Sequence, residues 1–312
     1  MENLVVLDAA TIGENSIFDS FKTFGKLTVF ATTSSTERLQ HIGNASIIIT
    51  NKVIIDKEIM DACQSLKLIC ITATGTNNVD LEYAKEKGIT VKNVAGYSTE
   101  SVVQHTFAIL LSLLQHTSYY ANYVSSQTYS KQNLFTHIGP GYLELNGRTW
   151  GIIGLGTIGR RVAEVATAFG CKVIYYSTSG NNHTTDYQEV SLEELLRTAD
   201  IISIHSPLNE QTQNLIGLKQ LRLMKQSAYI VNVGRGGIIN ENDLALALRE
   251  NYIAGACLDV MQKEPLPIDS PLLDEAIQSK LLITPHVAWV SDRALTKLVE
   301  LTYKNVEEGL QK

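Results

Sequence analysis

The sequence predicts an α/β protein of two doubly wound parallel-sheet domains, and three observations carry the prediction. Short apolar runs alternate with helical runs along the whole chain, the pattern of parallel strands joined by helical crossovers. A glycine-rich turn, Gly154-Leu-Gly-Thr-Ile-Gly159, follows an apolar run and opens an amphipathic one through Ile158, Val162, Val165 and Phe169. A complete α/β series precedes that turn. The simplest arrangement inserts a Rossmann nucleotide-binding domain, 100–286, into a flavodoxin-like substrate domain made of 1–99 and 287–312.

The first strands fall at Leu4–Leu7, Leu27–Ala31, Ser46–Thr50, Leu68–Thr72 and Thr90–Asn93, each too brief for a helix. Asp56–Leu66 and Leu81–Lys87 carry helical spacing between them, and Gly88 stops the second as a C-cap. A long helix begins at Ser98 or Thr99, with Glu100 set against its N-terminal dipole. Its segment Val102–Leu114 is apolar nearly all round, which predicts burial between two domains or two subunits. Tyr119–Asn146 is polar, aromatic and irregular. It is too long for a plain connection and is predicted to form an extended arm. The second strand set starts at Trp150 and continues at Lys172–Tyr176, Ile201–His205, Ala228–Val233, Ala254–Leu258 and Leu281–Thr284. Helices Leu192–Arg197 and Glu241–Glu250 lie among them, and a final helix spans Asp292–Leu310.

Composition narrows the function classes. At 312 residues the chain can build two cores, and 44% hydrophobic with 19% charged residues is ordinary for a globular protein. A net charge of −6 offers no basic footprint, so no nucleic-acid partner is expected. Cys63, Cys70, Cys171 and Cys257 are scattered without C-x-x-C pairs, which argues against a metal site and for a reducing compartment. Val102–Leu114 is interrupted by Gln104, His105 and Ser112 and is too short to span a bilayer. Met1–Asn3 leads straight into the run from Leu4, and a cytoplasmic enzyme is the expectation.

The chemistry concentrates at predicted strand ends. Gly154 permits a tight turn, Gly156 lets backbone amides approach a pyrophosphate, and Gly159 lets the helix pack on its strand. The helix N-terminus then offers unpaired N–H groups to phosphates, which predicts a nicotinamide dinucleotide. Arg235, Glu264 and His286 each follow a predicted strand. Ligands of open α/β sheets bind outside the carboxyl ends of the strands, so these three are expected to face one crevice. Singly, each has an ordinary structural explanation; their joint order argues for a site. An NAD enzyme normally offers an acid to the ribose about twenty residues past the fingerprint, but Ser177 stands there. NAD with weakened exclusion of NADP is predicted.

Five motifs together resemble the D-isomer-specific 2-hydroxyacid dehydrogenase family: GLGTIGR (Gly154–Arg160), HSPLNEQTQNLI (His205–Ile216), NVGRGG (Asn232–Gly237), LDVMQKEP (Leu258–Pro265) and TPHVAW (Thr284–Trp289). The likeness runs nearly end to end. GYSTESVVQHTFA, NNVD and HVAW are most similar to its glycerate dehydrogenase/hydroxypyruvate reductase branch.

The resemblance implies hydride transfer between nicotinamide and a small 2-oxo or 2-hydroxy acid, hydroxypyruvate or glyoxylate above all. It implies His286 as general acid/base, Glu264 bonded to its far nitrogen, and Arg235 as the carboxylate clamp. Thr74 and Gly75 would bind the substrate carboxylate by backbone, with Asn78 close by. Asp259 would accept from the nicotinamide carboxamide. Thr106, Thr157, Ile158, Pro207, Thr212 and Val233 are further expected cofactor contacts. A homodimer through the long helix and the arm is expected as well. Two other readings stay open: a different activity within the family, such as D-lactate oxidation, and an NAD(H)-sensing scaffold without turnover.

Overall fold

The computed structural model describes residues 2–311. The chain forms two compact units, Met1–Ser98 with Val290–Lys312, and Thr99–Trp289.

The first unit is a five-stranded parallel sheet. Its strands are β1 (Glu2–Val6), β2 (Gly25–Val29), β3 (Ile47–Thr50), β4 (Leu68–Ile71) and β5 (Thr90–Asn93), in the order β2-β1-β3-β4-β5. This is the flavodoxin-like winding. The central strands IIIT and LICI are buried at every residue, because helices cover both faces of a parallel sheet. Asp56 and Asp80 cap the helices Lys57–Ala62 and Leu81–Glu86 by accepting from Ile59 and Tyr83 amides, a contribution of about 1 kcal/mol each. The first of these stops four residues short of the predicted Leu66. The helix Asp292–Leu310 returns to pack on β4 and β5. Sequence periodicity marked no element over residues 15–24. A 3₁₀ helix, Asn15–Phe24, buries Phe18 and Phe21 there, and Phe21 meets Tyr303 edge-on at 5.5 Å. Three residues per turn escape a search for periods of 3.6 or 2.

A carboxylate organises one loop of this unit. Asp8, 6% exposed, accepts from the successive amides of Asn51, Lys52 and Val53 just past β3.

The second unit is a seven-stranded parallel sheet of β6 (Thr149–Ile153), β7 (Lys172–Tyr176), β8 (Gln188–Glu189), β9 (Ile201–Ile204), β10 (Tyr229–Asn232), β11 (Gly255–Leu258) and β12 (Leu281–Ile283). The order β12-β11-β10-β9-β6-β7-β8 is the Rossmann winding with one extra strand, and β6 and β9 flank its switch point. Trp150 is fully enclosed, and its indole N–H donates to Ser203 Oγ at 2.8 Å, so the largest core side chain leaves no polar atom unpaired. The helix Thr99–Leu114 packs on β11, β12 and the helix Thr157–Ala168.

The predicted arm begins as a helix, Thr117–Ser125, and becomes irregular only after a 3₁₀ turn at Tyr129–Lys131. His137 stacks on Tyr123 at 3.8 Å and pairs with the Tyr119 hydroxyl, tying the arm to its own helix. The return crossing also differs from expectation: residues 287–289 stay with the second unit, because the Asp259 carboxylate accepts from the Val287 and Ala288 amides. No helix among the described residues is long and apolar enough to cross a membrane. No metal-binding cluster occurs among them, and the four cysteines are buried free thiols.

Candidate active site

Adjacent strands β10, β11 and β12 each end in a loop that carries one of the three predicted groups. After β12 the chain makes a sharp turn with His286 in the left-handed region, φ 55°. Such a backbone costs a non-glycine residue on the order of 1–3 kcal/mol and persists only where neighbours impose it. The turn brings His286 Nδ1 to 2.7 Å from Glu264 Oε2. The other Glu264 oxygen accepts from the Met261 amide at 2.9 Å, so the carboxylate is clamped from behind. A carboxylate only accepts, so Nδ1 carries the hydrogen and Nε2 is left with the lone pair. Both side chains retain access to solvent, 25% and 32% exposed. This is the arrangement a general base requires.

Arg235 follows β10 and is half-buried, its guanidinium donating to the Gly234 carbonyl at 2.8 Å. Asn232 braces this loop by donating to the Arg235 carbonyl and accepting from the Gly234 amide. Gly236 backs onto the Met261 carbonyl, where a β-carbon would have no room. The loops of Arg235 and Glu264 can adjoin only through a glycine at that point.

The fingerprint turn fits a dinucleotide. Gly154, φ 92°, leaves β6 where an added β-carbon would lie 2.8 Å from the Ser206 amide. The helix Thr157–Ala168 starts from Gly156, which has no side chain to cap it, so no N-cap side chain competes for its first-turn N–H groups. Open space lies beside Gly156. Three buried polar atoms at neighbouring strand ends also lack a protein partner: Ser177 Oγ, Ser206 Oγ and His205 Nδ1. Phosphate oxygens and ribose hydroxyls suit such donors and acceptors.

Comparison with known proteins decides the family. The model for "D-isomer specific 2-hydroxyacid dehydrogenase, NAD binding domain" matches residues 107–288. The chain belongs to that family. It is 34% identical to the hydroxypyruvate reductase of Blautia hydrogenotrophica over 99% of this chain and 97% of that one. It is 37% identical to the glycerate dehydrogenase of Methylorubrum extorquens over 87% and 83%. Among solved structures, the D-lactate dehydrogenase of Aquifex aeolicus complexed with NAD and lactic acid superposes with a TM-score of 0.84 at 28% identity, covering 99% of this chain and 95% of that one. An acyclic imino acid reductase in complex with NADPH and D-Arg gives 0.85 at 29% identity, with 99% and 97% covered.

Not every residue expected to touch the dehydrogenase's cofactor faces outward. Thr106 is fully buried and its hydroxyl donates to the Val102 carbonyl one turn back, so it serves its own helix. Thr212 is likewise enclosed, donating to the Pro207 carbonyl and accepting from the Asn209 amide; it closes the loop on which Pro207 is exposed. Val233 is 7% exposed behind the Arg235 loop. Thr157 and Ile158 occupy the first helical turn, exposed and half-buried. Ser177 follows β7 directly, as the sequence placed it.

Asp259 is held inside the second unit. Its side chain is 1% exposed and both oxygens are engaged, Oδ1 by the Thr284 hydroxyl and Val287 amide, Oδ2 by the Ala288 amide. Burial pushes its acidity toward the neutral form, but the bonds from His105, Thr284, Ala288 and Val287 outweigh this and hold it below the ordinary carboxylate range. These bonds tie Asp259 to the His286 turn.

In the first unit, Thr74 is exposed beyond β4, with its hydroxyl donating to the Val94 carbonyl and its carbonyl accepting from Asn93. Asn78 donates to the Val53 carbonyl and so shapes the neighbouring loop. Sequence reasoning passed over His205, which is buried enough to hold its pKa near 3 and is therefore a neutral ring beside Ser203.

Proposed function

We propose that this dehydrogenase reduces a small 2-oxo acid of the hydroxypyruvate or glyoxylate type to the D-2-hydroxy acid, reversibly. The observation that carries the proposal is the His286–Glu264 pair at 2.7 Å, beside the Arg235 loop at the neighbouring strand end. NAD(H), when bound, supplies or accepts the hydride. In reduction, protonated His286 gives its Nε2 proton to the C2 oxygen, and in oxidation neutral His286 takes it back. Glu264 fixes the tautomer and stabilises the imidazolium between these events. Arg235 turns from the Gly234 carbonyl to the substrate carboxylate, for which its planar fork is suited. The backbone at Thr74–Gly75 contributes to carboxylate binding, with Asn78 holding that loop in shape. The names of the hydroxypyruvate reductase and glycerate dehydrogenase relatives support the substrate class.

The cofactor reading follows from the glycine turn and Ser177. Gly154, Gly156 and Gly159 with the amides of Thr157 and Ile158 would hold the pyrophosphate. Pro207 and Val233 would border the cofactor. Ser177 offers a hydroxyl where a carboxylate would repel a 2′-phosphate, so NAD is used with tolerance for NADP. The chain acts as a homodimer: the arm exposes Leu134 (70%), Phe135 (90%) and Ile138 (89%), an apolar display that monomers seldom leave in water. The four buried thiols suit a reducing cytoplasm.

A panel of hydroxypyruvate, glyoxylate and pyruvate with NADH and NADPH tests the proposal. Hydroxypyruvate or glyoxylate is expected to give the highest kcat/KM. Pyruvate ahead of both would favour D-lactate chemistry, and NADPH far ahead of NADH would overturn the cofactor reading. A monomer in light scattering would overturn the dimer.

A further inference from the structure

The helix Thr99–Leu114 is apolar on most of its surface, yet Ser101 and His105 sit one turn apart on the same side. Both reach the segment that carries His286. Ser101 Oγ donates to the Ala288 carbonyl at 2.6 Å, and His105 Nε2 meets Thr284 Oγ1 at 2.9 Å with Asp259 Oδ1 3.4 Å away. The Thr284 hydroxyl hydrogen is engaged by Asp259 Oδ1 at 2.6 Å, so the Thr284 oxygen can only accept from the histidine. His105 Nε2 therefore carries a hydrogen. A directed chain results: His105 donates to Thr284, Thr284 donates to Asp259, and Asp259 receives the amides of Val287 and Ala288. The His286 amide completes it, donating to the Asp259 carbonyl at 2.9 Å.

Every N–H from Thr284 to Ala288 is thus held, Pro285 having none to hold, since the Thr284 amide donates to the Leu258 carbonyl. That density of restraint is what a left-handed histidine requires. We propose that His105 is a positioning residue for catalysis, holding the His286 turn through Thr284 and Asp259 while Ser101 fixes its far end. The inference rests on His286 being the proton carrier, as proposed above. His105 touches neither substrate nor cofactor in this role; it determines whether the imidazole stays aligned against Glu264.

The test uses the full-length enzyme with NADH and its best 2-oxo acid. His105→Leu removes the donor, whereas His105→Gln places an amide N–H near the position of Nε2. His105→Leu is expected to lower kcat about tenfold, to move the pH profile of kcat/KM, and to leave the NADH dissociation constant within about twofold. His105→Gln should recover most of kcat and the original profile, and Ser101→Ala should lose a few-fold. If His105→Leu does not fold, Thr284→Val breaks the same chain without altering the helix and should show the same loss. A His105→Leu enzyme with wild-type kcat and pH profile overturns the proposal. So does a His105→Gln enzyme as impaired as His105→Leu, because that outcome reports packing alone. His286→Ala, run alongside, separates the two readings: if it stays active, the proton-carrier assignment fails irrespective of His105.

Discussion

Two loops of this molecule present successive backbone amides beyond the end of a parallel strand, and they meet opposite fates. Past β3, the amides of Asn51, Lys52 and Val53 all converge on the Asp8 carboxylate. Past β6, the helix Thr157–Ala168 starts from a glycine with no side chain to cap it, and open space lies where a Gly156 β-carbon would be. The physics is common to both: clustered N–H groups favour an anion. In the first unit the protein supplies that anion itself, and the loop becomes rigid structure. In the second no N-cap side chain takes that role, which suits the turn to an external anion. An anion cradle is therefore functional only where the chain withholds its own carboxylate.

If that contrast is right, damage at the strand-end loops of the second unit should appear as lost chemistry and damage to the Asp8 loop as lost stability. The largest effect is expected from His286→Ala, with kcat lower by a hundredfold or more and a nearly unchanged melting temperature; Glu264→Gln should chiefly displace the pH profile. An equal fall in melting temperature would erase the distinction. Asp8→Asn keeps an acceptor but loses the charge, and should cost about 2 kcal/mol in denaturant unfolding. Unaltered stability would mean the three amides can do without it. The smallest effect is expected from Gly154→Ala, which forces a β-carbon against the Ser206 amide at positive φ. NADH affinity should weaken about tenfold in a fluorescence titration, with activity recovered at saturating cofactor. Unchanged affinity would show that the open amides are not the phosphate site.

The site was legible in sequence to the extent that its signals are local. Gly154, Gly156 and Gly159 announce a turn and a helix start within six residues, and Arg235, Glu264 and His286 each stand in the loop that follows an apolar strand. The bonding of Asp259 and Thr106 was not legible, for the opposite reason. Each is a polar residue beside a functional motif, and only the packing shows their oxygens already bonded inside the protein. His105 could be noticed as a polar residue on an apolar helix, but its partner Thr284 lies 179 residues away. Asp8 likewise finds its amides 43 to 45 residues downstream.

The sequence by itself determined the two parallel sheets, the dinucleotide turn and the three strand-end groups, because periodicity, glycine conformation and strand–loop order act over a few neighbouring residues. Tertiary structure alone decided which carboxylate meets the His286 ring and which is bonded to successive backbone amides. Hydrogen-bond saturation depends on who else arrives in space, and no local pattern records that.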